Sequence, residues 1–144
     1  MKAAAIQITP ARGLEEVKPL LAACGLPTND LRTDSTFVVA RTGTVICGVA
    51  GLEGLGQVGL LRSVAVDPAR RRQGIAQRLV AAIADRARAQ GISQLFLLTT
   101  DAQRYFTRLG FAAVDRQALP AELQATTQFR ETCPQTAIAM ARDL

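Results

Sequence analysis

The chain has 144 residues, of which 49% are hydrophobic and 20% charged, enough apolar material for one packed domain over 1–144 and too much for a disordered polymer. The net charge of +5 comes from 15 arginines and 2 lysines against 12 acids, but only 4% of residues are aromatic, so a base-stacking nucleic-acid surface is poorly supplied. There is no histidine, which removes Ser-His-Asp and Cys-His nucleophile sets and the common zinc ligand sets.

Ala3 to Thr9 can alternate as a first strand. The apolar stretch at the N-terminus is too short for a secretory segment, and the longest apolar runs, such as Val45 to Ala50, are far short of a membrane span. A cytoplasmic protein with no membrane partner is expected. Leu14, Val17, Leu21 and Cys24 recur at helical spacing and Gly25 is a stop signal, while Pro19 suggests a kinked or late-starting helix. Pro27-Thr28-Asn29-Asp30 offers caps for a further turn. Thr36 to Arg41 and Thr44 to Glu53 read as paired strands around Thr42-Gly43. Gly51-x-x-Gly54-x-Gly56 is followed by another strand, Val58 to Asp67, so it reads as a hairpin turn rather than a dinucleotide fingerprint.

Pro68 ends that strand and a basic loop follows. An amphipathic helix then spans about Gly74 to Gln90, with Ile75, Leu79, Ala82, Ile83 and Ala87 on one face and Gly91 just past its end. Gln94 to Thr99 reads as a strand buried on both faces. Asp101 caps a short helix that ends at Leu109-Gly110, Phe111 to Val114 starts another strand, Pro120 to Thr132 is helical, and Thr136 to Met140 closes the sheet. The cysteines, Cys24, Cys47 and Cys133, are odd in number and widely spaced. A disulfide framework is not expected; two buried thiols and one near the surface are.

Chemistry concentrates where Val64-Ala65-Val66 runs into Asp67-Pro68, three arginines and Gln73-Gly74-Ile75-Ala76. The first amides of a helix have no internal partner and sit at the positive end of its dipole. Gly74 lets a ligand approach the backbone, and Arg71 and Arg72 add charge, so a pyrophosphate is the natural guest.

Pro68-x-x-Arg71-x-x-Gly74-x-Ala76, placed between a strand and a long helix, resembles the acetyl-CoA motif of the Gcn5-related N-acetyltransferases, and Ala102-x-x-Tyr105-Phe106-x-x-x-Gly110-Phe111 resembles their second signature. More narrowly, Leu60 to Val66, Leu97 to Thr100 and the Cys133-Pro134 region resemble members of this family from arsenic-resistance operons. The resemblance implies an α/β fold with a mixed, mostly antiparallel sheet of about six to seven strands flanked by helices, and central parallel strands that splay apart. It implies acetyl-CoA as cosubstrate, no metal, and direct attack of a small-molecule amine on the thioester in a ternary complex. Amides and side chains of Arg71, Arg72, Gln73, Gly74, Ile75 and Ala76 would hold the pyrophosphate, and the edge formed by Val64, Ala65 and Val66 would bond the pantetheine arm. The chain departs from the family pattern twice. Phe106 stands where a leaving-group acid is often tyrosine, with Tyr105 one residue earlier and rotated by roughly 100° on a helix. Leu60 stands where some members carry a glutamate base.

Other candidates follow from position. Strand alternation puts Arg62 on one face with Leu60, Val64 and Val66, where it either clamps a substrate carboxylate or pairs with an acid of a neighbouring strand. Glu53, at the end of the third strand, is either the base that deprotonates the amine or a solvated turn residue. Ser63 falls on the opposite face. Thr99 or Thr100 would hydrogen-bond freed backbone or the cosubstrate. The sequence favours acetylation of an amino acid or an arsenic- or phosphorus-containing analogue. A non-catalytic acyl-CoA-binding regulatory module is the alternative, charge alone supports a nucleic-acid-binding domain, and a homodimer is left open.

Overall fold

The structure, a computed structural model, describes residues 5–26, 28, 31, 35–126 and 137–144. Expectations that fall on residues 1–4, on Pro27, Asn29 and Asp30, and on 127–136 with Cys133 lie outside the described residues. Four strands form in succession: β1 (Gln7–Pro10), β2 (Thr36–Thr42), β3 (Val45–Leu55) and β4 (Val58–Val66). Helix α1 (Leu14–Ala23) joins β1 to β2. After β4 come α2 (Ile75–Ala89), β5 (Gln94–Thr99), α3 (Gln103–Arg108), β6 (Ala112–Val114), α4 (Ala121–Gln124) and β7 (Ile138–Asp143), with short 3-10 turns at Pro68–Arg70 and Arg116–Ala118.

Helix α1 begins at Leu14, where the spacing of Leu14, Val17 and Leu21 begins, and contains Pro19 in its interior without a delayed start. Glu15 and Glu16 occupy its first turn, the end at which a carboxylate is favoured. The signature Gly110-Phe111 has a local cause. Gly110 takes a left-handed φ of 94° after α3, its N–H bonds to Thr107 O, and the Phe111 N–H reaches back to Phe106 O at 3.1 Å. That closure turns the Phe111 ring into the core against Phe106.

The seven strands order as β1-β2-β3-β4-β5-β7-β6 in one sheet. All neighbours are antiparallel except β4 and β5. These two central strands pair in parallel only from Val58–Gln94 to Leu60–Phe96, then separate, as the resemblance implied. One face carries α2, α3 and the largest apolar cluster, including Leu61, Ile75, Leu79, Ile83 and Phe106. The other face is divided: α1 covers Phe37, Val39, Val49 and Ala65, and α4 covers Leu60, Phe96 and Leu98.

A β-bulge in β4 corrects one expectation. Gly51 pairs with Arg62 and Val49 with Ala65, so Ala50 alone faces two residues, Ser63 and Val64. Ser63 has a φ of 57°, in the left-handed region that side-chain-bearing residues avoid. The extra residue reverses the alternation. Val64 and Val66 pack with Leu61 on the α2 face, so Arg62 shares a face with Leu60 but not with them.

The capping expectation for α3 is also corrected. Ala102, not Asp101, is its N-cap residue, and the Thr99 hydroxyl accepts the Ala102 N–H at 3.0 Å. The long helix expected from Pro120 is a single turn, Ala121–Gln124, within the described residues.

Candidate functional site

The site is built where β4 stops. The Asp67 N–H bonds to Cys47 O at 2.8 Å, toward β3. The Val66 carbonyl belongs to the same peptide group and therefore points the opposite way, onto the edge that β5 has left. The Cys24 thiol, at the end of α1, lies 3.8 Å from that carbonyl. The Asp67 carboxylate accepts the Ala69 N–H at 3.0 Å and starts the 3-10 turn, which Pro68 fits because it needs no donor there.

Two left-handed residues then bend the chain into α2, Arg72 at φ 67° and Gly74 at φ 73°. Gly74 is the N-cap of α2, and no side chain caps the helix, so its first amides are unclaimed. A β-carbon built on Gly74 would meet nothing within 4 Å, so the space before the helix is open. The sequence expected an anion cradle at this point; the structure places an uncapped helix start there, with Arg71 and Arg72 beside it.

That space opens into a cavity of about 780 Å³ lined by Val64–Val66, Arg70–Arg72 and Gly74–Gln77, with Cys24 and Leu26 from the end of α1 and Asp101, Ala102, Tyr105, Phe106, Arg108 and Leu109 from the start and body of α3. Of the residues expected to bind cosubstrate, Val64, Ala65, Val66, Arg71, Arg72, Gly74, Ile75 and Ala76 meet here. Gln73 is exposed and stands outside the lining. Thr99 is also outside it, and its hydroxyl accepts the N–H of Ala102, the N-cap residue of α3.

Tyr105 faces the cavity despite its one-residue offset, because the adjacent Phe106 ring turns toward Phe111 and the core. The two rings meet edge to face at 5.6 Å. Burial pushes the Tyr105 hydroxyl above its ordinary pKa, and the nearby Arg108 charge offsets part of that rise.

Glu53 and Arg62 are brought together. Glu53 is 7% exposed and Arg62 4%, and the Arg62 Nη1 donates to Glu53 Oε1 at 2.7 Å. The Arg62 Nε donates to the Ser63 hydroxyl at 3.0 Å. Glu53 is therefore not a solvated turn residue, and Arg62 has the neighbouring-strand acid that burial demands. Both strands bring them to the face away from α2, opposite the point where β4 leaves β5.

Cys24, Leu26, Arg70, Gln77, Asp101, Ala102, Phe106, Arg108 and Leu109 line the cavity without having been expected among the site residues. Arg70 and Gln77 are sequence neighbours of the motif and could have been added from it. Cys24, Leu26 and Arg108 reach the cavity only through tertiary packing.

Residues 5–111 match the family profile described as acetyltransferase (GNAT) family. The chain belongs to that family. Over 85 residues, 58% of its length, it is 38% identical to an amino-acid acetyltransferase of Pseudomonas putida, and over 97 residues, 66% of its length, it is 32% identical to one from Aeromonas salmonicida. Those matches cover only 20% and 22% of the relatives, so the chain spans about a fifth of their length. Among solved structures it superposes on the N-acetylglutamate synthase of Neisseria gonorrhoeae complexed with coenzyme A and N-acetyl-glutamate, with a TM-score of 0.81 at 24% identity, covering 99% of this chain and 36% of that one. A GNAT-family acetyltransferase of Staphylococcus aureus gives a TM-score of 0.77 at 20% identity over 97% of this chain and 99% of that one. These likenesses establish the GNAT fold, including its seven-stranded sheet with the splayed pair at the centre.

Proposed function

We propose that the chain transfers the acetyl group of acetyl-CoA to the primary amine of an amino acid, or of an arsenic- or phosphorus-containing amino-acid analogue, by direct attack in a ternary complex. The observation that carries the reading is the cavity in which uncapped helix amides, arginines and an open strand edge meet beside Tyr105. Its residues suit coenzyme A. The amides of Ile75 to Gln77 with Arg71 and Arg72 match a pyrophosphate, and the Val66 edge matches the amides of a pantetheine arm. The resemblance of Leu60–Val66 and Leu97–Thr100 to arsenic-operon members supports the analogue as acceptor, and the curated relatives' names support an amino acid.

In this reading the amine nitrogen bonds to the acetyl carbon, the carbon–sulfur bond breaks, and the sulfur leaves as thiolate. Tyr105 gives that thiolate its proton, which the hydroxyl, held above its ordinary pKa, retains at neutral pH. A backbone N–H on the open β4 edge supports the carbonyl oxygen as it gains charge. The acceptor's end is assigned to Glu53 and Arg62. Both stand outside the cavity lining and are bonded to each other, so this role requires an acceptor that parts the pair, with Arg62 then taking its carboxylate and Glu53 the proton that the ammonium group must lose before it attacks.

The test is acetyl-CoA turnover across a panel of amines. Amino acids with a second acidic group, including phosphinate and arsenic analogues, should be acetylated with the highest kcat/KM. Faster acetylation of polyamines or alkyl amines overturns the acceptor assignment. Coenzyme A binding with no turnover on any member of the panel overturns the enzymatic reading in favour of an acyl-CoA-binding module.

A further inference from the structure

Four arginines line the cavity, Arg70, Arg71, Arg72 and Arg108, against a single acid, Asp101. None of the four has a side-chain hydrogen bond or ion pair among the described residues. Elsewhere Arg41 is paired with Glu16 and Arg62 with Glu53. Unmatched cations gathered around one cavity repel one another, and that arrangement is best explained by an anion that joins them.

The α2 cradle accounts for only part of this charge. A pyrophosphate at Gly74 would draw on the helix amides and on Arg71 and Arg72, which flank them. Arg108 comes from a different wall. It sits in the last turn of α3, exposed, one helical turn beyond Tyr105 and on the same cavity-facing side. Coenzyme A carries about four negative charges at neutral pH, two on the pyrophosphate and about two on the ribose 3′-phosphate.

Resting on the acetyl-CoA reading, we propose that Arg108 is a specificity-determining residue that pairs with the 3′-phosphate and so selects the 3′-phosphorylated cosubstrate over thioesters of the same pantetheine arm that lack it. The guanidinium fork suits a terminal phosphate, which offers three oxygens on one side. The proposal also gives Arg108 a use apart from its position at a helix C-terminus. In a helix of six residues the dipole is small, and a glutamine there keeps the fold.

The experiment is calorimetric binding of coenzyme A and of 3′-dephospho-coenzyme A to the full chain and to Arg108→Gln and Arg108→Lys, with circular dichroism and thermal melting as checks on folding. The wild-type protein should prefer coenzyme A by roughly ten- to a hundredfold, the scale of one charge-assisted contact to a phosphate. Arg108→Gln should bring the two affinities within about threefold by weakening coenzyme A alone, and Arg108→Lys should restore part of the preference. Equal weakening of both ligands would move Arg108 to the pyrophosphate and overturn the assignment. So would a wild-type protein that does not discriminate between them. Failure of the wild-type protein to bind either ligand would overturn the acetyl-CoA reading itself.

Discussion

At Tyr105 the choice between catalytic acid and wall residue can be read from a pH profile. The hydroxyl has no hydrogen-bond partner among the described residues and lines the cavity. Its pKa is raised above the ordinary tyrosine value, first by burial, so the proton it would deliver is present at neutral pH and lost only on the alkaline side. Tyr105→Phe should lower kcat by about a hundredfold, the lower range for loss of a general acid, with KM for acetyl-CoA little changed. The wild-type rate should decline at high pH beyond the ordinary tyrosine range, and that decline should be absent from the variant. A variant with wild-type kcat would leave the thiolate to solvent.

Among the elements, α1 is fixed to the sheet by a polar contact that its apolar stripe does not supply. Arg41 of β2 donates to the Glu16 carboxylate and, through Nε, to the Thr9 hydroxyl at 2.9 Å, and Glu16 also accepts the Arg12 N–H at 2.7 Å. The Arg41 hydrogen bond first, and then that of Arg12, lower the Glu16 pKa from 4.5 to about 2. A carboxylate whose pKa is depressed by folding adds stability above its unfolded value, and that stability is lost as pH falls through the folded value. Arg41→Ala should therefore destabilise the protein by about 1–3 kcal/mol near pH 6, by urea denaturation, and the gap from wild type should close between pH 4.5 and 2. A gap that does not change with pH would mean that the arginine acts through packing of its stem.

The elements were mostly legible because their signals are local. The Gly74 cradle could be read because a glycine stood between an arginine run and an amphipathic helix, and the strands because their apolar runs end at glycine or proline. The Ser63 bulge could not be read. Serine carries no sign of a left-handed φ, and one extra residue in β4 moved Val64 and Val66 to the other face from Arg62. The reach of Cys24 into the cavity was equally hidden, since it depends on α1 crossing β4, 42 residues away in sequence. Glu53 and Arg62 were singled out one at a time, and only the β3–β4 register, with Glu53 opposite Leu60 and Arg62 opposite Gly51, shows them to be partners.

At the scale of the whole molecule, the sheet is two blocks, β1–β4 and β5–β7–β6, held together directly by just three residue pairs, Val58–Gln94, Gly59–Leu95 and Leu60–Phe96. Beyond them the Val66 carbonyl faces the gap, where the Cys24 thiol lies 3.8 Å from it. Buried or half-buried backbone groups gain free energy from a good partner, so a ligand that bonds to this edge would stabilise it. Hydrogen exchange at the Val66 amide should slow on addition of coenzyme A, while amides in the β2–β3 ladder should change little. Equal slowing in both places would point to a general tightening of the fold.

In the acetyl-CoA reading, the same gap would make the cosubstrate a structural component of the fold. A ligand that binds only the folded chain adds about 2.7 kcal/mol of stability at a concentration one hundred times its dissociation constant. For a small protein whose central seam is three residue pairs long, that is a large share of the total. On that reading the folded fraction, and with it resistance to proteolysis, would rise and fall with the supply of coenzyme A thioesters.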